Sequence, residues 1–154
     1  MEKREFFEYW TDAFRLTKST IERFPEADLM RTIVPGLRPP GLVFAHIYAH
    51  VNGMFNACVR RELIPDELSH LPDDLDTGRT APLLRYAQRT MEELLAHASV
   101  DDQVWRQKIK TPWGEVPMES LCIQSFAHEI HHRGQLTVML RLLNLEPPEV
   151  CVHG

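Results

Sequence analysis

Apolar residues recur at helical spacing through most of the chain, in four stretches separated by joints that carry proline and glycine. In the first, Phe6, Phe7, Trp10, Phe14, Thr17 and Ile21 fall on one stripe, which predicts a helix from Lys3 to Arg23. Pro25 stops it, because the residue before a proline is pushed out of helical geometry. The stretch from Pro25 to Pro40 reads as a connection with a short helical turn. A second helix is expected from Pro40 to Leu63, since proline suits a first turn whose N–H would be unpaired anyway. Its interior is Leu42, Val43, Ile47, Val51, Met54, Phe55, Cys58 and Val59. After an acidic, proline-bearing loop from Ile64 to Gly78, a third helix runs from Ala81 to Ala98, with Thr80 as N-cap. Leu83, Leu84, Ala87, Met91, Leu94 and Leu95 make its stripe.

The period breaks between residues 102 and 116, which read as two short strands around a turn at Thr111 to Gly114, held by Trp105 and Trp113. A fourth helix then runs from Pro117 to Leu143, with Leu121, Ile123, Phe126, Ile130, Leu136, Met139 and Leu140 among its apolar positions. Four long amphipathic helices bury their stripes best against one another. The expected fold is all-α: a four-helix bundle with a small hairpin-like insertion before the last helix, as a single domain over residues 1–154.

Composition narrows the function. With 44% apolar and 25% charged residues the chain is ordinary globular material. No apolar run approaches a membrane span, and the charged N-terminus lacks the apolar core of a signal peptide, so a cytoplasmic protein is expected. The net charge of -5 and the lack of a basic stripe argue against nucleic acid as a partner. Three widely spaced cysteines are no disulfide framework. Cys58 and Cys122 lie in apolar helical context and read as buried thiols, with Cys151 in the tail.

Eight histidines are present, five of them in two clusters: His46 and His50, then His128, His131 and His132. Residues advance by about 100° each along a helix, so His128 and His132 share a face, and so do His46 and His50. An i,i+4 pair of imidazoles can chelate one ion, and two helices can converge on it in the bundle. Imidazole suits zinc, nickel, iron or copper better than calcium or magnesium. His131 points to another side, and His70, His97 and His153 are expected to face solvent. His128-Glu129-Ile130-His131-His132 also fits the H-E-x-x-H pattern of zinc peptidases, with Glu129 as general base. Only 22 residues follow His132, which leaves little chain for the rest of a peptidase site.

The string His132-Arg133-Gly134-Gln135-Leu136 after His128 resembles the H-x-x-x-H-R-G-Q-L/I signature of the DinB-like superfamily of DinB/YfiT-type metalloenzymes. Leu42-Val43-Phe44-Ala45-His46 is similar to the segment bearing that family's first histidine. Pro35-Gly36-Leu37-Arg38, the Trp113-Gly114 turn and Leu142-Leu143-Asn144 with Pro147 fit as well. The resemblance implies a four-helix bundle, often a homodimer, with one zinc or nickel ion on three histidines, here His46, His128 and His132. His50 departs from a single-histidine pattern on the second helix, so it stands as a ligand beside or instead of His46. The resemblance further implies a thiol-dependent S-transferase or isomerase acting on a small molecule, with a low-molecular-weight thiol as cosubstrate. A non-catalytic metal-binding module of a stress response and an H-E-x-x-H zinc hydrolase are the alternatives. Gln135 or Glu129 is expected to hold the far nitrogen of a ligand histidine, and Arg133 to pair with a carboxylate or bind an anionic substrate. Gly134 would let another helix approach closely.

Overall fold

The computed structural model describes residues 2–98 and 101–150 of the 154. Four long helices form the body: α1 (Lys3–Glu22), α2 (Pro40–Arg60), α3 (Thr80–Ala98) and α5 (Met118–Leu142). Between α3 and α5 lie a single-turn helix, α4 (Asp102–Arg106), and a hairpin of β1 (Lys108–Thr111) and β2 (Gly114–Pro117). Short 3-10 turns occupy Glu26–Asp28 and Pro65–Ser69 in the two long connections. The expected bundle with its hairpin is therefore present.

The buried residues fall where the helical period put them. Phe6, Trp10, Phe14, Thr17 and Ile21 of α1 are buried, as are Leu83, Ala87, Met91 and Leu94 of α3. Helix α2 lies at the centre, packed on both α3 and α5, and is buried nearly all round. Two glycines allow this. A Cβ on Gly53 would stand 2.6 Å from the Glu67 carbonyl oxygen, and one on Gly41 would strike the carbonyl of Thr77. The connection after α2 thus lies directly on the helix backbone.

Five expectations are corrected. Helix α2 ends at Arg60 rather than Leu63, because Arg61 turns left-handed (φ 63°) and releases the chain. Residues 61–63 then run beside β1, with Lys110 N–H donating to Arg61 O (3.0 Å) and Leu63 N–H to Lys110 O (2.8 Å). This gives the hairpin a third segment, which a two-stranded ribbon needs. Val104 and Trp105 are helical, not extended, because Asp101 caps α4 by accepting from Gln103 N–H (3.0 Å). Trp105 is buried against Phe6 and Phe7, whereas Trp113 at the hairpin turn is 63% exposed and anchors nothing. Val59, expected inside, is also exposed. Helix α3 opens at Thr80 itself, whose N–H donates to the Glu26 carboxylate (2.9 Å). Cys151 and His153 lie outside the described residues.

Gly53→Ala is expected to force the Pro65–Ser69 turn away from α2. The overpacking costs about 2 kcal/mol, which lowers the thermal midpoint by about 4–8 °C in a chain of this size. A melting curve followed by circular dichroism checks this.

Candidate metal centre

Helices α2 and α5 run side by side, and their facing positions bring both histidine clusters together. His46 Nε2 lies 3.1 Å from His128 Nε2. One ligand nitrogen from each of His46, His128 and His132 falls within 4.8 Å of the other two. The His132 ring is 4.4 Å from that of His128 and 4.9 Å from that of His46, centroid to centroid. All three are half-buried.

His50 joins the group differently. Its ring stacks flat on His128 (4.0 Å, 19°), and its Nδ1 is 2.9 Å from Ser125 Oγ. His46 thus faces both α5 histidines, whereas His50 backs one of them. His131 is exposed, its ring 5.0 Å from His132, and lies outside the group. His70 faces solvent, as expected, but His97 packs edge-on against Phe55 at 5.6 Å.

The electrostatics favour neutral rings. Burial, then the Arg38 guanidinium and the neighbouring histidines, hold His46 down at about 4. Burial and His132 hold His50 at about 4, and burial with the four surrounding histidines holds His128 at about 3. Burial lowers His132 also, against the hydrogen bond from its Nδ1–H to Gln135 Oε1 (2.8 Å), which favours the charged ring. That bond fixes the tautomer and leaves Nε2 of His132 with a free lone pair. Gln135 therefore holds one ring nitrogen of His132.

Glu129 does not. It is wholly buried, and its Oε2 accepts from Trp10 Nε1–H (2.7 Å). Its Oε1 accepts from the hydroxyls of Thr17 (2.7 Å) and Tyr48 (3.2 Å). Burial raises its pKa, and hydrogen bonds from Thr17, Trp10 and Tyr48 and the charge of Arg133 oppose the rise. A carboxylate so enclosed is not the base of an H-E-x-x-H site. Arg133 donates to Ala13 O (3.2 Å) and lends its charge to Glu129 without a direct ion pair. Gly134 is exposed with open space where a Cβ would stand, so no other helix among the described residues approaches there. The clasp made by Trp10, Thr17 and Tyr48 escaped sequence reasoning, although Thr17 on an otherwise apolar stripe was its one visible sign.

The donor set fits a metal ion. Ligand nitrogens about 2.05 Å from a tetrahedral ion lie about 3.3 Å apart, close to the His46–His128 spacing. Nδ1 of His128, the ring nitrogen away from His46, is buried with no hydrogen-bond partner among the described residues.

A helical bundle with imidazoles from two helices gathered in one seam is an architecture of helix-borne metal sites. The chain matches the DinB family over residues 1–153 and belongs to it. Solved structures share the fold. The DinB-like protein YjoA of Bacillus subtilis is 16% identical, with a TM-score of 0.76 over 94% of this chain and 96% of that one. YfiT of Bacillus subtilis, described as a probable metal-dependent hydrolase with an unusual four-helix bundle topology, is 20% identical. It has a TM-score of 0.64 over 93% and 88% of the two chains. A mycothiol-dependent maleylpyruvate isomerase is 15% identical, with a TM-score of 0.65 over 93% of this chain and 68% of its own. No curated protein matches the chain in sequence.

Two predictions follow from the geometry. Glu129→Gln keeps partners for all three donors, since the Thr17 and Tyr48 hydroxyls can turn to accept, so metal content and fold should persist. Glu129→Ala leaves them unsatisfied and should cost about 3 kcal/mol or more, read from urea unfolding. In metal-free protein, stability should be full above about pH 6.5 and fall as the pH drops toward 4. There the unfolded chain takes up protons that native His46, His50 and His128 refuse. Glu129 acts in the opposite sense, as one group against these three and His132, which burial also lowers. Urea midpoints between pH 7.5 and 4.5 measure the slope, and His46→Ala should flatten it.

Proposed function

We propose that this DinB-family protein is a metal-dependent enzyme of the thiol S-transferase type. Its one divalent ion, zinc or nickel, would be held by His46, His128 and His132. The observation that carries this reading is the convergence of three neutral imidazoles from two helices, with their ring nitrogens mutually within 4.8 Å. Three histidine ligands leave a coordination position open, which is the catalytic rather than the structural pattern. His50 serves as a wall of the site behind His128, tied to Ser125, and not as a fourth ligand.

A metal bound there supplies Lewis acidity, which favours the thiolate form of a thiol brought to it. The chain's own residues do the rest. Gln135 holds His132 in the tautomer that presents Nε2. Arg38, whose charge reaches His46 and His132, makes the rim attractive to an anionic thiol or electrophile. No cysteine of the described chain stands beside the histidines, so the nucleophilic sulfur comes from a low-molecular-weight cosubstrate. The hydrolase reading, favoured by the description of YfiT, needs a base for water. Glu129, the base that the motif would offer, is enclosed among Trp10, Thr17 and Tyr48. A non-catalytic stress-response module would use the same ligands without turnover. The protein is expected to act on a small molecule in the cytoplasm as a homodimer, with neither nucleic acid nor membrane as a partner. No helix among the described residues is long and apolar enough to cross a membrane.

Metal analysis of protein purified without chelator tests the site. Wild type and His50→Ala should each carry one ion per chain, while His46→Ala and His132→Ala should carry none. The loaded protein is then screened with thiols against electrophiles. Turnover that requires both the thiol and the ion is the expected result. Hydrolysis without any thiol would favour the YfiT-like reading, and loss of metal in His50→Ala would make the site a closed, structural one.

A further inference from the structure

The ladder that places the histidines continues below them in a different chemistry. On α2, His46, His50, Met54 and Cys58 succeed one another at intervals of four and so share one face. Across the seam on α5, His128, Ser125 and Cys122 descend at intervals of three. The upper part of the seam is nitrogen and the lower part is sulfur. Cys58 Sγ lies 3.6 Å from Met54 Sδ, and Cys122 Sγ lies 3.9 Å from the same atom. The two thiols also lie within hydrogen-bond reach of each other, which with burial raises the Cys122 pKa well above the ordinary thiol range. All three side chains are at most 1% exposed. Thiols that only fill space are surrounded by carbon, but these two, from two helices, are turned on to a third sulfur.

We propose that Met54 Sδ, Cys58 Sγ and Cys122 Sγ form a second metal site, separate from the histidines and selective for a soft, thiophilic ion of the cuprous type. Three sulfurs each about 2.3 Å from a central ion stand about 4 Å apart, the spacing found here from Met54 to either thiol. Thiolate and thioether donors select Cu(I), whereas imidazoles suit zinc or nickel, so the two halves of the seam sort ions by softness. Binding is a proton exchange. One cuprous ion enters, two copper–thiolate bonds and one copper–thioether bond form, and both thiol protons leave to solvent. Copper stays cuprous throughout, so no oxidant or reductant takes part. The ion itself drives the deprotonation that burial opposes.

The test is a titration of the reduced, full-length protein with Cu(I) under nitrogen, in competition with the chromogenic chelator bicinchoninate. Wild type is expected to hold one cuprous ion per chain against the chelator. Cys58→Ser and Cys122→Ser should each weaken it by more than the roughly 10–100-fold that loss of an outer partner costs, and Met54→Leu by about tenfold. His46→Ala and His128→Ala should leave it unchanged, which separates this site from the histidine centre whatever the fate of that one. X-ray absorption at the copper edge should show sulfur neighbours only. Surrender of all copper by wild type, undiminished affinity in the serine variants, loss of copper in the histidine variants, or nitrogen in the copper shell would each overturn the proposal. Should either serine variant fail to fold, Met54→Leu, which conserves volume, and the absorption spectrum decide it.

Discussion

The direction in which α5 points its histidines depends on one buried carboxyl group. Glu129 is gripped by Trp10 and Thr17 from α1 and by Tyr48 from α2, so three helices meet on one side chain. A helix held at that point cannot roll about its axis without breaking hydrogen bonds in a medium where replacements are absent. His128 precedes Glu129 by one position and His132 follows it by three, so both are carried by that grip toward α2. The carboxyl group thus serves the site by orientation, from a neighbouring face of the helix about 100° round from His128.

The seam itself is built on close approach. Gly41 and Gly53 let the two long connections lie on the backbone of α2, which is buried on nearly every side. Packed this way, α2 has little freedom to shift, and its ladder of His46, His50, Met54 and Cys58 is presented to α5 in fixed register. The half-buried rings stay neutral because burial disfavours their charged form, and Arg38 beside His46 and the crowding of the histidines add to the effect. A neutral, convergent set of lone pairs is what an ion requires and what a proton is denied.

The bundle was legible in the chain because it follows from period alone: a stripe at spacings of three and four has to be covered, and four stripes cover one another. The i,i+4 histidine pairs were legible for the same reason, as spacing on a helix fixes which side chains share a face. What period cannot give is the roll of one helix against its neighbour. The pairs His46/His50 and His128/His132 looked alike in sequence, yet α2 turns one ring toward the cluster and lays the other flat against it. Glu129 was misread because a short motif says nothing of which face the rest of the core claims. Trp105 and Trp113 looked equivalent, and only the Asp101 cap, which coils the first of them into α4, tells them apart. The left-handed Arg61 ended α2 early to complete the hairpin, a pairing between segments almost fifty residues apart that no local pattern announces.

The hydrogen bonds on Glu129 also set an order of events. They join residues 81, 112 and 119 positions apart. Contacts of that span form late, after the loop they close has been ordered, and a chain made from its N-terminus supplies α5 last. Until then α2 offers only His46 and His50, a pair on one helix, and its sulfur atoms lack the thiol of Cys122. An ion that needs both sides of the seam is therefore received by a finished bundle and has no part in starting it, so the fold is the cause of the site and not its product.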